Sequence, residues 1–203
     1  ENYGISCDAI YNPYNNVDVV KSYSDREPII FYAAYLTKNK GYDLLLKAFS
    51  RIHSKYPNWK LIIAGSGEVD VARNMIEDLN ISDSVKLYSW LNKQEMNLMY
   101  NKASIYCITS YKEGFPMSAL EAWSYGVPLV TTPVGGLVDV IQHRINAMVF
   151  DFGNIDELTN CLDELIENKS LRFDISLNSK NLIESTFSLA KVEKTINELY
   201  NTI

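Results

Sequence analysis

Short apolar runs alternate with amphipathic runs along most of this chain, and that alternation limits the fold more than any other feature. IIFYAA (29–34), WKLIIAG (59–65), VKLYSW (85–90), ASIYCIT (103–109), VPLVTT (127–132) and AMVF (147–150) are strand-length and largely apolar. Between them, YDLLLKAFSRIHSKY (42–56), EVDVARNMIEDLN (68–80), QEMNLMYNKA (94–103) and MSALEAWSYG (117–126) carry apolar residues at helical spacing. Strands that are apolar throughout are buried on both faces. Separated by helices, they predict an α/β fold with a Rossmann-like, doubly wound parallel sheet and right-handed crossovers. From residue 154 on the pattern is helical throughout: IDELTNCLDELIENK, LRFDISLNSKNLIEST and LAKVEKTINELYNTI. The polar stretch 14–28 reads as a loop or strand-edge segment. With 203 residues, 47% of them hydrophobic, the chain can bury one substantial core. The expectation is one domain over 1–203, with a leading segment 1–27 and a terminal helix 188–203.

Several function classes drop out on composition. The net charge is −6, which disfavours nonspecific nucleic-acid binding but leaves room for a nucleotide, which needs only local positive potential. Cys7, Cys107 and Cys161 are scattered, with no CxxC pair, and their odd number argues against a full disulfide framework. Cys107 lies in an apolar run and reads as a small core residue. His53 and His143 are the only histidines, so no His-rich metal site is expected, and His53 reads as a solvated surface residue. No apolar run reaches the length of a membrane span. The opening, ENYGISC, has neither an initiator Met nor the layout of a secretory signal, and a reducing cytoplasm is the default compartment.

Residues 113–121, EGFPMSALE, carry the chemistry. A strand precedes them and a helix follows. Glu113 stands in the intervening loop with Gly114, Phe115 and Pro116, and Glu121 stands eight residues on. Pro116 suits the first helical position. The N–H groups of Met117, Ser118 and Ala119 would then point unpaired from the helix start, where an anion is favoured. Glu121 leans back toward the same mouth, because helical side chains tilt toward the N-terminus. Carboxylates accept hydrogen bonds from hydroxyl groups, so the whole arrangement suits a polyol phosphate. In an open sheet, ligands bind beyond the carboxyl ends of the strands, and four loops fall there: 35–41, Gly65–Gly67, Ser89–Leu91 and Ser110–Pro116. Singly they are weak. Gly65-x-Gly67 is equally a turn before a helix, Trp90 equally a half-buried aromatic, and Gly135-Gly136 equally a helix start.

The segment EGFPMSALEAWSYGVPLVTTPVGGLVDVI (113–141) closely resembles the donor-site signature of the family 4 (group 1) glycosyltransferases. KGYDLLLKAF (40–49), WKLIIAGSGE (59–68), VKLYSWLNKQEMNLMYNKASIYCITS (85–110) and NAMVFDFGNIDELTNCLDELI (146–166) resemble the family's other segments in order and spacing. The resemblance implies a retaining enzyme of the GT-B fold that uses a nucleotide-diphospho-sugar. This chain would be its C-terminal, donor-binding half, inactive without an N-terminal acceptor domain. Ile10-Tyr11-Asn12-Pro13 would be the interdomain connection, and the full-length enzyme could associate peripherally with a membrane. No metal or other cofactor is implied.

By the same resemblance, Glu121 accepts the two ribose hydroxyls and Glu113 sits by the donor sugar and its anomeric centre. The amides after Gly114, from Phe115 to Ser118, hold sugar hydroxyls and phosphate oxygens. Lys40 neutralises the leaving diphosphate, Trp90 and Leu91 border the base, and Gly65 belongs to the donor-binding set. Lys112 and the helix start would add positive potential. The family's usual Arg, five residues before that Lys, is Tyr35 here, preceded by Ala34 where Gly is common. Tyr cannot supply the charge or the bidentate fork of Arg. Two alternatives stay open: a non-catalytic, glycosyltransferase-like scaffold subunit, which Tyr35 in place of Arg favours, or another GT-B sugar-nucleotide enzyme such as an epimerase. The last helix carries Leu189, Val192, Ile196 and Leu199 at helical spacing, an apolar stripe expected to pack on the chain's own core.

Overall fold

The computed structural model of the chain describes residues 10–14, 17 and 26–201. Among the described residues six strands form one parallel sheet: β1 (Glu27–Ala33), β2 (Lys60–Ala64), β3 (Val85–Tyr88), β4 (Ala103–Ile108), β5 (Leu129–Thr131) and β6 (Met148–Val149). Their order is β3-β2-β1-β4-β5-β6. The chain runs outward from β1 to β3, then crosses back to lay β4 on the other side of β1. A crevice forms where the direction reverses, beyond the carboxyl ends of β1 and β4.

Alternation along β1 builds both halves of the core. Ile30 and Tyr32 pack with Leu61, Ile63, Ile105 and Val130 under α1 (Tyr42–Ile52), α2 (Val69–Asp78) and α5 (Ile155–Glu167). Ile29 and Phe31 pack with Ile62, Tyr106 and Ile108 under α3 (Lys93–Lys102) and α4 (Met117–Ser124). Pro28 is tolerated because it precedes the pairing with β2, which starts at Ile29, and falls in an irregularity of the pairing with β4 between Glu27 and Ile30. In α1, Tyr42, Leu45, Leu46, Phe49 and Ile52 are buried at helical spacing. Cys107 and Cys161 are buried, and burial pushes both thiols up, Cys161 to about 12. Cys7 lies outside the described residues.

Some boundaries differ from expectation. Helix α1 ends at Ile52 rather than Tyr56, and His53 caps it half-buried, its Nδ1 2.9 Å from the Ser50 carbonyl, instead of lying solvated. α4 stops at Ser124, because Gly126 turns left-handed at φ 66°. The helical tail is α5, α6 (Lys169–Leu182), a π-turn (Ile183–Phe187) and α7 (Leu189–Tyr200). The expected stripe on α7 is incomplete: Val192 is buried, Ile196 half-buried, and Leu189 is 56% exposed. Leu189 follows the Ser188 cap and has not yet come round to the core. Among the described residues, no helix is long and apolar enough to cross a membrane.

Candidate active site

Gly41 sets the first wall of the crevice. The backbone after β1 makes a tight 3-10 turn, Lys38–Lys40, and leaves it through Gly41 at φ 67°. A Cβ there would lie 2.0 Å from the Thr109 carbonyl oxygen, so only glycine brings this loop so close to the end of β4. The approach lets the Thr109 hydroxyl donate to the carbonyls of Lys40 (2.9 Å) and Gly41 (2.8 Å), while the Tyr32 phenol also donates to the Lys40 carbonyl (2.9 Å). Burial raises the Tyr32 phenol well above its ordinary value, so it stays a donor. The one Thr109 hydroxyl proton is shared between the two carbonyls, and with the Tyr32 phenol it fixes the backbone of Lys40 and Gly41.

The Lys40 ammonium reaches across the crevice to Glu113, with Nζ 2.5 Å from Oε1. Ser110 donates to the same oxygen at 2.8 Å. Both side chains of the pair are partly shielded, 27% exposed for Lys40 and 17% for Glu113. Oε1 is therefore occupied twice, and Oε2 has no protein partner among the described residues. Ser110 is itself buried, and its carbonyl accepts from Thr132 at 2.6 Å. Its position in the loop was readable from sequence; its bond to Glu113 was not assigned, although a three-residue spacing is the one signal that could have suggested it.

The loop Glu113–Pro116 is held from the other side by β5. Gly135, at φ 52°, passes so close to Gly114 that a Cβ would meet its carbonyl oxygen at 1.8 Å, and the Gly136 amide donates to that carbonyl at 2.8 Å. Gly135-Gly136 thus open a 3-10 turn, Gly135–Asp139, that clamps the loop. The Phe115 ring packs over Gly136 and against Tyr11 and Phe187, with centroids at 6.0 and 5.6 Å. Phe115 accordingly anchors the loop, and what the residues after Glu113 offer to the crevice is backbone.

Pro116 is the cap of α4, in extended conformation, rather than its first helical residue. The Ala119 amide turns back to the Pro116 carbonyl at 2.9 Å, which removes it from the unpaired set. The amides of Met117 and Ser118 open the helix, without an acceptor in the preceding turn. Met117 is exposed and Ser118 half-buried, its hydroxyl against the Tyr106 phenol, whose pKa burial raises to about 12. Glu121, half-buried on the next turn, accepts from the Tyr100 phenol through Oε2 at 2.8 Å.

The crevice continues beyond β1 and β2 as an open cleft of about 200 Å³, lined by Ala34, Tyr35, Gly65, Ser66, Trp90 and Leu91. Tyr35 and Trp90 are strongly exposed, at 60% and 72%. Gly65 and Ala34 form the floor, and the Tyr35 ring lies against Gly67. The four loops expected on one edge therefore do meet there, since β3, β2, β1 and β4 are neighbours in the sheet.

A parallel sheet in the order 3-2-1-4-5-6, with a lysine–glutamate pair at the reversal and a second glutamate one turn into the following helix, defines a doubly wound α/β domain with a crevice at its switch point. The family is fixed by comparison: residues 16–182 match the model of the glycosyl transferases group 1, and the chain belongs to that family. An uncharacterised glycosyltransferase of Haemophilus influenzae is 33% identical over 165 residues, covering 80% of this chain and 46% of that protein. The chain thus spans less than half the length of that relative. Among solved structures, HepE of Anabaena in complex with UDP-glucose superposes with a TM-score of 0.81 at 22% identity, covering 96% of this chain and 57% of that one. The C-terminal domain of the group 1 glycosyltransferase LpcC from Francisella tularensis gives 0.74 at 19% identity, covering 89% of this chain and 97% of that domain. The α/β fold is that of a GT-B C-terminal domain.

Proposed function

We propose that this chain is the donor-binding half of a retaining glycosyltransferase and that its donor is a UDP-sugar. The observation that carries the reading is the Lys40–Glu113 pair, at 2.5 Å, in the crevice where the sheet order reverses. It puts a cation for the diphosphate beside a carboxylate for the sugar. Lys40 and the amides of Met117 and Ser118 bind the diphosphate, and their interaction strengthens as charge develops on the leaving group. Glu113 accepts from hydroxyls of the donor sugar through Oε2, and Glu121 accepts from the ribose. The base enters the cleft between Tyr35 and Trp90, over Gly65 and beside Leu91. Phe115 and Pro116 shape the loop from behind. The acceptor site lies on an N-terminal domain, without which the donor half does not turn over. UDP is favoured because HepE, which shares the fold at high TM-score, was crystallised with UDP-glucose.

A thermal-shift screen against UDP, GDP, ADP and their glucose conjugates tests this directly. A ligand that binds the folded state alone raises the melting temperature according to its affinity. A selective rise with UDP and UDP-glucose is expected; a larger rise with GDP or ADP would replace the base assignment, and no rise with any nucleotide would favour the scaffold-subunit alternative.

A further inference from the structure

We propose that Tyr100, on the last turn of α3, is a positioning residue that fixes Glu121 for recognition of the ribose. This rests on the reading of Glu121 given under Proposed function. Tyr100 is 2% exposed, and its phenol donates to Glu121 Oε2 at 2.8 Å. A buried hydroxyl needs a partner, and here the partner is the carboxylate of Glu121, half-buried one turn into α4.

The ring has little freedom. It is stacked on Tyr125 with centroids 5.4 Å apart and planes at 19°, edge-on to Phe31 at 5.4 Å, and tilted against Tyr106 at 5.3 Å. The hydroxyl is therefore aimed by the core and not by the surface. The terminal torsion of a glutamate is broad and soft. Tying Oε2 to a rigid donor confines that torsion, while Oε1 has no protein partner among the described residues. Oε1 and the remaining lone pair of Oε2 can then accept two adjacent hydroxyls in one fixed plane. Burial, together with the neighbouring Tyr106 and Glu121, raises the Tyr100 phenol well above its ordinary value, so the donor is kept throughout the working pH range.

The test compares UDP with 2′-deoxy-UDP by calorimetry on the whole chain. Tyr100→Phe removes the hydroxyl and keeps the ring. It is expected to weaken UDP about tenfold, the order of one charge-assisted hydrogen bond, and 2′-deoxy-UDP, which keeps one of the two hydroxyls, only about threefold. The preference for the full ribose should thus shrink about threefold. Equal weakening of both ligands, or of neither, would overturn the proposal, since a merely structural tyrosine would not touch their ratio. Glu121→Gln separates the two readings: if it leaves the UDP to 2′-deoxy-UDP ratio intact, Glu121 does not read the ribose, and the proposal falls with it. Melting temperatures of both variants serve as the check on folding.

Discussion

At the scale of single residues, the crevice depends on two backbone approaches that no side chain can share. Gly41 carries both costs at once, a left-handed φ and a 2.0 Å encounter with the Thr109 carbonyl. Gly41→Ala is expected to destabilise the chain by about 2–5 kcal/mol, the sum of the left-handed penalty and overpacking. In a chain of this length the melting temperature should fall by on the order of 10 °C, read by calorimetry. A fall of a degree or two would mean that the loop simply moves off β4. Tyr35 makes the opposite kind of prediction. It borders the open cleft and is 60% exposed, so a longer side chain meets no packing there. Tyr35→Arg should tighten UDP about tenfold by adding a bidentate diphosphate ligand. Weaker binding by isothermal titration would show that the phenol itself is a ligand contact.

At the scale of elements, the turn that follows α1 is joined to α5 by a polar clasp. Lys55 reaches both Asp163 and Glu167 at 2.9 Å, and the Tyr56 phenol lies within donating distance of the same two carboxylates, 2.7 and 2.9 Å, sharing its one proton between them. Burial alone would raise Asp163, but the bonds from Tyr56 and Lys55 outweigh it and hold the carboxyl below its ordinary 3.8. The bonds from Lys55 and Tyr56 likewise hold Glu167 below 4.5. Carboxylates with depressed folded values add stability that is complete above their ordinary range and lost as the pH falls through their folded values. Lys55→Met should therefore lower stability modestly at pH 7, where these partly exposed pairs are complete, and progressively less as the pH falls below about 4.5, so that the profile flattens. Urea midpoints at pH 3.5 and 7 decide the point.

The elements themselves were largely legible. Each predicted strand exists, and each boundary error has a local cause. Pro116 was readable as a helix-start residue, but whether it caps or begins α4 depends on its ψ of 102°, which the loop clamp from Gly135 imposes through space. Lys40 and Glu113 were each singled out as candidates, yet their direct pairing follows from how closely Gly41 brings two loops together. Tyr100 looked like one more apolar residue of a short helix. Nothing in the sequence marks a contact with Glu121, 21 positions away, because the contact comes from how α3 lies over β1 and β4.

At the scale of the whole molecule, both cores are faces of the same six strands among the described residues. Neither face can lose its packing without exposing the back of the other. The chain should accordingly unfold in a single cooperative step, with calorimetric and van't Hoff enthalpies equal, and UDP should shift that step without splitting it. Two resolved transitions in the calorimeter would mean that the helical tail from α6 onward melts on its own.

If the chain binds a sugar nucleotide as proposed, the 2.5 Å contact between Lys40 and Glu113 has a consequence for turnover. It makes the resting crevice nearly neutral in charge, a cation supplied with its own internal counter-ion. A stray inorganic phosphate must part the two groups and then leaves the carboxylate confronting another negative charge. A complete donor offers compensation on both sides, oxygens to the lysine and hydroxyls to the glutamate. Once the sugar has departed, that second compensation is gone, and the carboxylate competes with the spent nucleotide for the ammonium. The same pair that prepares the crevice would thus help to empty it. Glu113→Gln should make UDP dwell several-fold longer in stopped-flow displacement, a difference of about 1 kcal/mol for the loss of one partly shielded competitor; an unchanged release rate would show that the carboxylate plays no part in ejection.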